Sequence, residues 1–190
     1  MIIKYYEINK INFSINNLIL LHGKNDGLKN ETIWEFMSKN KNKKIFKYDE
    51  KEILENTESF FNDIYSGSLF DNEKFIVINY ASEKILNIVQ SLLEKKLEDI
   101  LIVISAGQLD KRSKLRSSFE KKKELVAVGF YPDTNETLNK LAQNFINQKK
   151  ISLSQMNINF VVSRCNGSRE FLINELEKIE QLNKSKKNIT

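Results

Sequence analysis

Five short apolar runs punctuate the first part of the chain, at residues 18–21, 45–48, 75–79, 100–105 and 126–130. Longer amphipathic stretches separate them, the pattern of βαβ units around a mainly parallel sheet. Ile100-Leu101-Ile102-Val103-Ile104 is continuously apolar between Asp99 and Gly107, as a strand covered on both faces must be. The intervening stretches predict helices over 30–40, 52–65, 83–97 and 111–123. In the third, Ile85, Ile88, Val89, Leu92, Leu93 and Leu97 recur at helical spacing. Ser82 and Asp110 stand where the caps of the third and fourth helices belong.

The pattern changes after Tyr131-Pro132, which holds the only proline in the chain. Asp133-Thr134-Asn135-Glu136 reads as a capping box. Only helical periodicity follows, over 134–148, 154–161 and 168–183, with Gly167 between the last two. The expectation is therefore an α/β domain over 1–132 and a small helical domain over 133–190. The polar stretch from Asn183 to Thr190 reads as a frayed end.

Composition narrows the function classes. Hydrophobic residues make up 41% of the 190, enough to fill a real core. The formal net charge is +5, which permits contact with nucleic acid without requiring it. From Asp110 to Glu124 there are seven Lys or Arg against three Asp or Glu, and Lys184, Lys186 and Lys187 extend the excess into the tail. Elsewhere the charges read as nearly balanced. A single cysteine, Cys165, excludes an internal disulfide, and with one histidine it cannot build an ordinary His/Cys zinc site. No secretory layout opens the chain and no apolar run approaches the ~20 residues that span a bilayer. A cytoplasmic protein with no metal, no cofactor and no membrane partner is expected.

The strand-to-helix turn Leu21-His22-Gly23-Lys24-Asn25-Asp26-Gly27-Leu28-Lys29-Asn30 stands where a phosphate-binding loop would be. Such a loop needs backbone N–H groups around the phosphates, then Lys and Ser/Thr at the helix start. Here Gly23 and Gly27 are one residue too close, and Leu28-Lys29 replaces the Lys-Ser/Thr pair. The buried strand at 100–105 also ends in Ser105-Ala106-Gly107 instead of the acidic pair that holds Mg²⁺. Two independent requirements for hydrolysis fail together, so no hydrolytic activity is expected. His22 has no Ser or Cys beside it in sequence and reads as a surface or packing residue. Ser163-Arg164-Cys165 resembles the arginine-finger tripeptide of clamp-loader ATPases but lies in the helical part, outside the α/β context that would aim it.

Leu69 and Phe70 follow the apolar helical face formed by Phe60, Phe61, Ile64 and Tyr65, with Gly67 between. Adjacent helical residues point about 100° apart, so both can hardly face one core. The pair either packs under the sheet or forms an exposed anchor for a partner's pocket.

Several blocks together, in order, resemble the delta-subunit family of bacterial DNA polymerase III. They are Leu20-Leu21-His22-Gly23-Lys24-Asn25-Asp26-Gly27-Leu28, then Ser68-Leu69-Phe70 just before a strand, and Ala106-Gly107-Gln108-Leu109-Asp110-Lys111-Arg112-Ser113-Lys114-Leu115-Arg116. Gly167-Ser168-Arg169-Glu170-Phe171-Leu172-Ile173-Asn174-Glu175-Leu176-Glu177-Lys178 completes the set. The resemblance implies an AAA+-like (RecA-type) parallel sheet flanked by helices and a small helical lid domain. It implies a clamp-loader subunit of the polymerase III holoenzyme without hydrolytic or polymerase activity of its own. Its partners would be the sliding clamp, other loader subunits and, indirectly, DNA. The family's clamp-binding element falls on Ser68, Leu69 and Phe70, while Gly23 and Gly27 mark a degenerate phosphate loop. Lys111, Arg112, Lys114 and Arg116 are the candidates for facing DNA. Family members continue into a third, collar domain, and the sequence ends before one. A stand-alone nucleic-acid-binding module and a degenerate nucleotide binder are the alternatives.

Overall fold

The computed structural model describes residues 1–65, 73–95, 97 and 99–187. Among them six parallel strands form one sheet: β1 (Ile2–Lys4), β2 (Leu18–Gly23), β3 (Lys44–Asp49), β4 (Lys74–Ala81), β5 (Ile100–Ala106) and β6 (Leu125–Phe130). Their spatial order is β1-β6-β2-β5-β4-β3. The central position of β2 and β5 explains their uninterrupted apolar runs. Both faces of each strand are covered, so Leu18 to Leu21 and Ile102 to Ile104 lose all contact with solvent.

Alternate strand residues feed two cores. On one face Leu20, Ile78, Ile102 and Ile104 pack against Ile53 of α2 (Glu50–Glu55), Phe60 and Ile64 of α3 (Thr57–Tyr65), Val89 and Leu92 of α4 (Leu86–Glu94), and Phe119 of α5 (Lys114–Lys121). On the other, Leu21, Val77 and Val103 pack against Ile33, Phe36 and Met37 of α1 (Asp26–Lys39). The α/β sheet with helices on both faces is as expected from the sequence.

Five local expectations need correction. The edge strand β1 has no counterpart among the predicted elements, because in three residues only Ile3 points inward and no period can show. Helix α1 begins at Asp26, four residues before the predicted start, because the Asn25 side chain caps it by accepting from the Leu28 N–H at 3.1 Å. The single helix predicted over 52–65 is two. An Asp49/Glu52 capping box starts α2, and the Asn56 side chain accepts from the Ser59 N–H at the start of α3. A 3₁₀ turn, Glu83–Ile85, precedes α4, which ends at Glu94. Finally, Ser113 and not Asp110 caps α5. Asp110 instead accepts from the Arg112 and Ser113 N–H groups and fixes the turn before the helix.

The chain divides into two compact units, Met1–Phe130 and Tyr131–Thr190. The second is built from α6 (Asn135–Lys149), α7 (Gln155–Arg164) and α8 (Arg169–Lys187) around Leu138, Ala142, Ile158, Val162, Leu172 and Leu176. Its capping box pairs Thr134 with Thr137, one residue on from the predicted Asp133 and Glu136. Helix α8 runs through Lys187, so much of the polar end read as frayed is helical. Among the described residues no helix is long and apolar enough to cross a membrane.

Candidate functional site

The C-terminal ends of the parallel strands are where this architecture places ligands. There, β2 ends at Gly23 and α1 begins at Asp26, so Lys24 and Asn25 alone connect them. Two residues leave no loop long enough to wrap a phosphate. Gly27, read as the second glycine of a degenerate loop, lies inside the first turn of α1. Gly23 has φ +130°, and a Cβ there would lie 2.0 Å from the Phe130 carbonyl oxygen of β6. The Gly23 N–H donates to the Gly107 carbonyl at 3.0 Å. This glycine therefore serves close strand packing.

The chain's own groups occupy the helix start. The Leu28 N–H donates to Asn25 Oδ1 and the Lys29 N–H to the Asn25 carbonyl. Lys29 is 2% exposed. Its ammonium donates to the Ala106 carbonyl at the end of β5 at 2.6 Å and pairs with Asp26 at 2.8 Å. The cation that a phosphate loop would extend towards a ligand is thus spent bridging α1 to β5. Among the described residues no cluster of His, Cys, Asp and Glu is arranged to hold a metal.

His22 lies at this strand end and is 6% exposed, so of the two readings, surface or packing, the packing one holds. Burial first, then the Arg116 guanidinium, lowers its imidazole from 6.5 to about 4, against the opposing charge of Glu120. As pH falls, the unfolded chain takes up this proton before the folded one does. The associated stability is complete above pH 6.5 and is lost as the pH falls from 6.5 towards 4. Between pH 7 and pH 4.5 the expected loss is about 2 kcal/mol, from 1.36 kcal/mol per pKa unit. Urea unfolding across this range checks it: His22→Gln should lack that part of the slope, and an identical slope in both proteins contradicts it.

The residues expected to grip a clamp, Ser68, Leu69 and Phe70, lie outside the described residues, which leave both flanks of 66–72 in view. On the leading side, Phe61 and Tyr65 of α3 stack with ring centroids 5.9 Å apart, and the Lys95 ammonium lies 4.4 Å from the Tyr65 centroid. Burial raises the Tyr65 hydroxyl above its ordinary pKa. On the returning side, Lys74 opens β4 at 6% exposure. Its ammonium donates to the carbonyls of Asp63 and Ile64, at the last turn of α3. Two flanks ten residues apart are thereby tied at one point. Nothing in the sequence marks this role, since a lysine before an apolar run reads as a solvated strand end.

The four basic candidates separate. Lys111, Arg112 and Lys114 are exposed. Arg116 is half-buried, with Nε donating to Glu120 at 2.7 Å and Nη1 to the Leu109 carbonyl at 3.2 Å. Lys111 and Arg112 also precede α5 and do not belong to it. In the helical unit, Arg164 stacks on Phe160 at 5.5 Å, and the Cys165 thiol donates to the Val161 carbonyl from within the core.

No protein-family profile matches the sequence, and none of the curated proteins compared is similar to it in sequence. Comparison with solved structures does find likenesses. A Bacillus subtilis DNA clamp loader delta protein superposes with TM-score 0.60 and 13% identity over 94% of this chain and 56% of that one. A Thermotoga maritima RuvB variant superposes with TM-score 0.55 and 18% identity over 86% of this chain and 54% of that one. The chain thus spans little more than half the length of either. By fold it is an AAA+-like parallel sheet flanked by helices, similar along nearly its whole length to a clamp loader delta protein.

Proposed function

We propose that the chain is a delta-type clamp-loader subunit acting in DNA replication, which binds and opens a sliding clamp without hydrolysing ATP. The observation that supports this most is the strand-to-helix turn of an AAA+-like fold closed by its own Lys29. Such a fold keeps the shape of a nucleotide hydrolase while its phosphate site is filled, which suits a subunit that works by contact. Leu69 and Phe70, with Ser68 beside them, enter an apolar pocket of the clamp. Clamp opening is then a population shift, because the subunit binds the open ring better than the closed one. Other loader subunits are the remaining protein partners, and Lys111, Arg112 and Lys114 contact DNA phosphates once the clamp is delivered.

Surface plasmon resonance against the sliding clamp of the same organism tests the proposal, with Leu69→Ala/Phe70→Ala alongside. Truncating an interface anchor of this kind typically costs about 2 kcal/mol or more, so the double variant should bind more than tenfold weaker. Equal binding by both proteins would move the contact elsewhere. No binding by a folded wild type would sink the proposal. Calorimetry with Mg-ATP should give no heat, and a saturable heat would favour a nucleotide binder instead.

A further inference from the structure

The basic excess assigned from sequence to 110–124 and the tail has a second centre. Between Lys39 and Tyr48 there are five lysines and no acid, a local concentration within the part of the chain whose charges nearly balance as a whole. In the fold this run turns from the end of α1 into β3, the last strand in the sheet order, whose outer edge pairs with no strand among the described residues. Lys39 and Lys43 are engaged by Glu35 and Glu73. Lys41, Lys44 and Lys47 are exposed and make no ion pair among the described residues.

The only tryptophan of the chain stands beside them. Trp34 on α1 is 66% exposed, with the Lys47 ammonium 5.6 Å from its ring centroid. Ile45 points to the same side of β3 as Lys47, by strand alternation, and is 42% exposed. We infer that Trp34, Ile45 and Lys47, with Lys41 and Lys44 along the β3 edge, form a contact site for single-stranded nucleic acid.

Each part has a physical reason. A bare indole in water is unfavourable unless something flat covers it, and an unpaired base stacks on it without regard to sequence. In a duplex both faces of each base are already taken, so the site selects single strands. The lysines meet the phosphates, Lys47 from the Trp34 side of β3 and Lys44, which alternation puts on the other side with its ammonium 5.6 Å from the Phe46 ring, from across the open edge. Lys47 can leave the ring for a phosphate, because an exposed cation–π contact is weaker than base stacking. Lysines on an edge strand also discourage sheet-to-sheet pairing, but that role needs no exposed indole. An acidic peptide would satisfy the lysines and leave the indole face wet.

The inference stands apart from the clamp reading, and its test uses no clamp. Trp34 is the sole indole, so its fluorescence reports this site alone. A thymidine oligonucleotide of about 12 nucleotides should quench it at low salt, and a duplex of equal length should not. With three lysines engaged, log affinity should fall against log salt with a slope of about −2. With labelled oligonucleotide, Trp34→Ala should lose about five- to hundredfold in affinity, and Lys44→Gln/Lys47→Gln should flatten the salt slope. Absence of quenching overturns the inference. So does oligonucleotide binding that these variants leave unchanged, which would place the contact near Lys111–Lys114. Equal quenching by polyglutamate overturns it in favour of an acidic protein partner.

Discussion

Gly23→Ala should destabilise the first unit by about 4 kcal/mol, combining backbone strain and overpacking of about 1–3 kcal/mol each. The added Cβ would stand 2.0 Å from the Phe130 oxygen and 2.8 Å from its carbonyl carbon. Those are backbone atoms of β6, which is held in register with β2 from Leu18↔Leu125 to Gly23↔Phe130, so no flexible side chain can yield. At φ +130° an alanine is strained even with space around it. Gly107→Ala is the control, since nothing lies within 4 Å of the Cβ it would add. Urea unfolding should show a much lower midpoint for Gly23→Ala and a nearly unchanged one for Gly107→Ala. Equal midpoints would mean that β2 and β6 can separate at this end, and the account of a turn closed by strand packing would then be wrong.

The contrast between these two glycines shows what sequence reading could reach. Gly23 was visible as a phosphate-loop candidate, since a glycine between a strand and a helix suits that role by position. Its actual service, letting β6 come close, depends on Phe130, more than a hundred residues away in sequence. The central strands were legible because burial on both faces writes itself as an unbroken apolar run, as in Ile100–Ala106. Boundaries set by side chains were less so. Asn25, Asn56 and Ser113 each start a helix, yet a cap is one residue among several similar neighbours.

The charged residues were harder still. Lys29 sits in an amphipathic helix among polar neighbours and looks solvated, but it is buried because Ala106 presents a carbonyl to it. The lysines from Lys39 to Lys47 belong to a helix end, a turn and an edge strand. They become one patch only when Trp34 is brought against Lys47. What the sequence hides in both cases is a contact partner far along the chain, not a local preference.

Lys74 is of the same kind, and replacing it has the second large consequence. Lys74→Met keeps the length and the apolar stem but removes the donor to the Asp63 and Ile64 carbonyls. Those groups end α3, where carbonyls lack helical partners and a cation is favourable. Leaving the buried Ile64 acceptor unmet at about 1–3 kcal/mol and the part-buried Asp63 acceptor at less, offset by the relief of not burying an ammonium, gives a net loss of about 2 kcal/mol. Lys74 is buried in the fold, and desolvation holds its pKa below the ordinary value, opposed by Asp63 and aided by Lys44. Thermal unfolding should show the loss, and Lys74→Arg should recover part of it. If residues 66–72 carry the clamp contact, the tie between their flanks presets that segment for binding. Affinity for the clamp should then fall about tenfold in Lys74→Met, at a temperature where the variant is fully folded, and recover partly in Lys74→Arg. A stability loss with unchanged clamp affinity would make Lys74 a core device only. No stability loss at all would mean that water replaces the ammonium at the end of α3 without penalty.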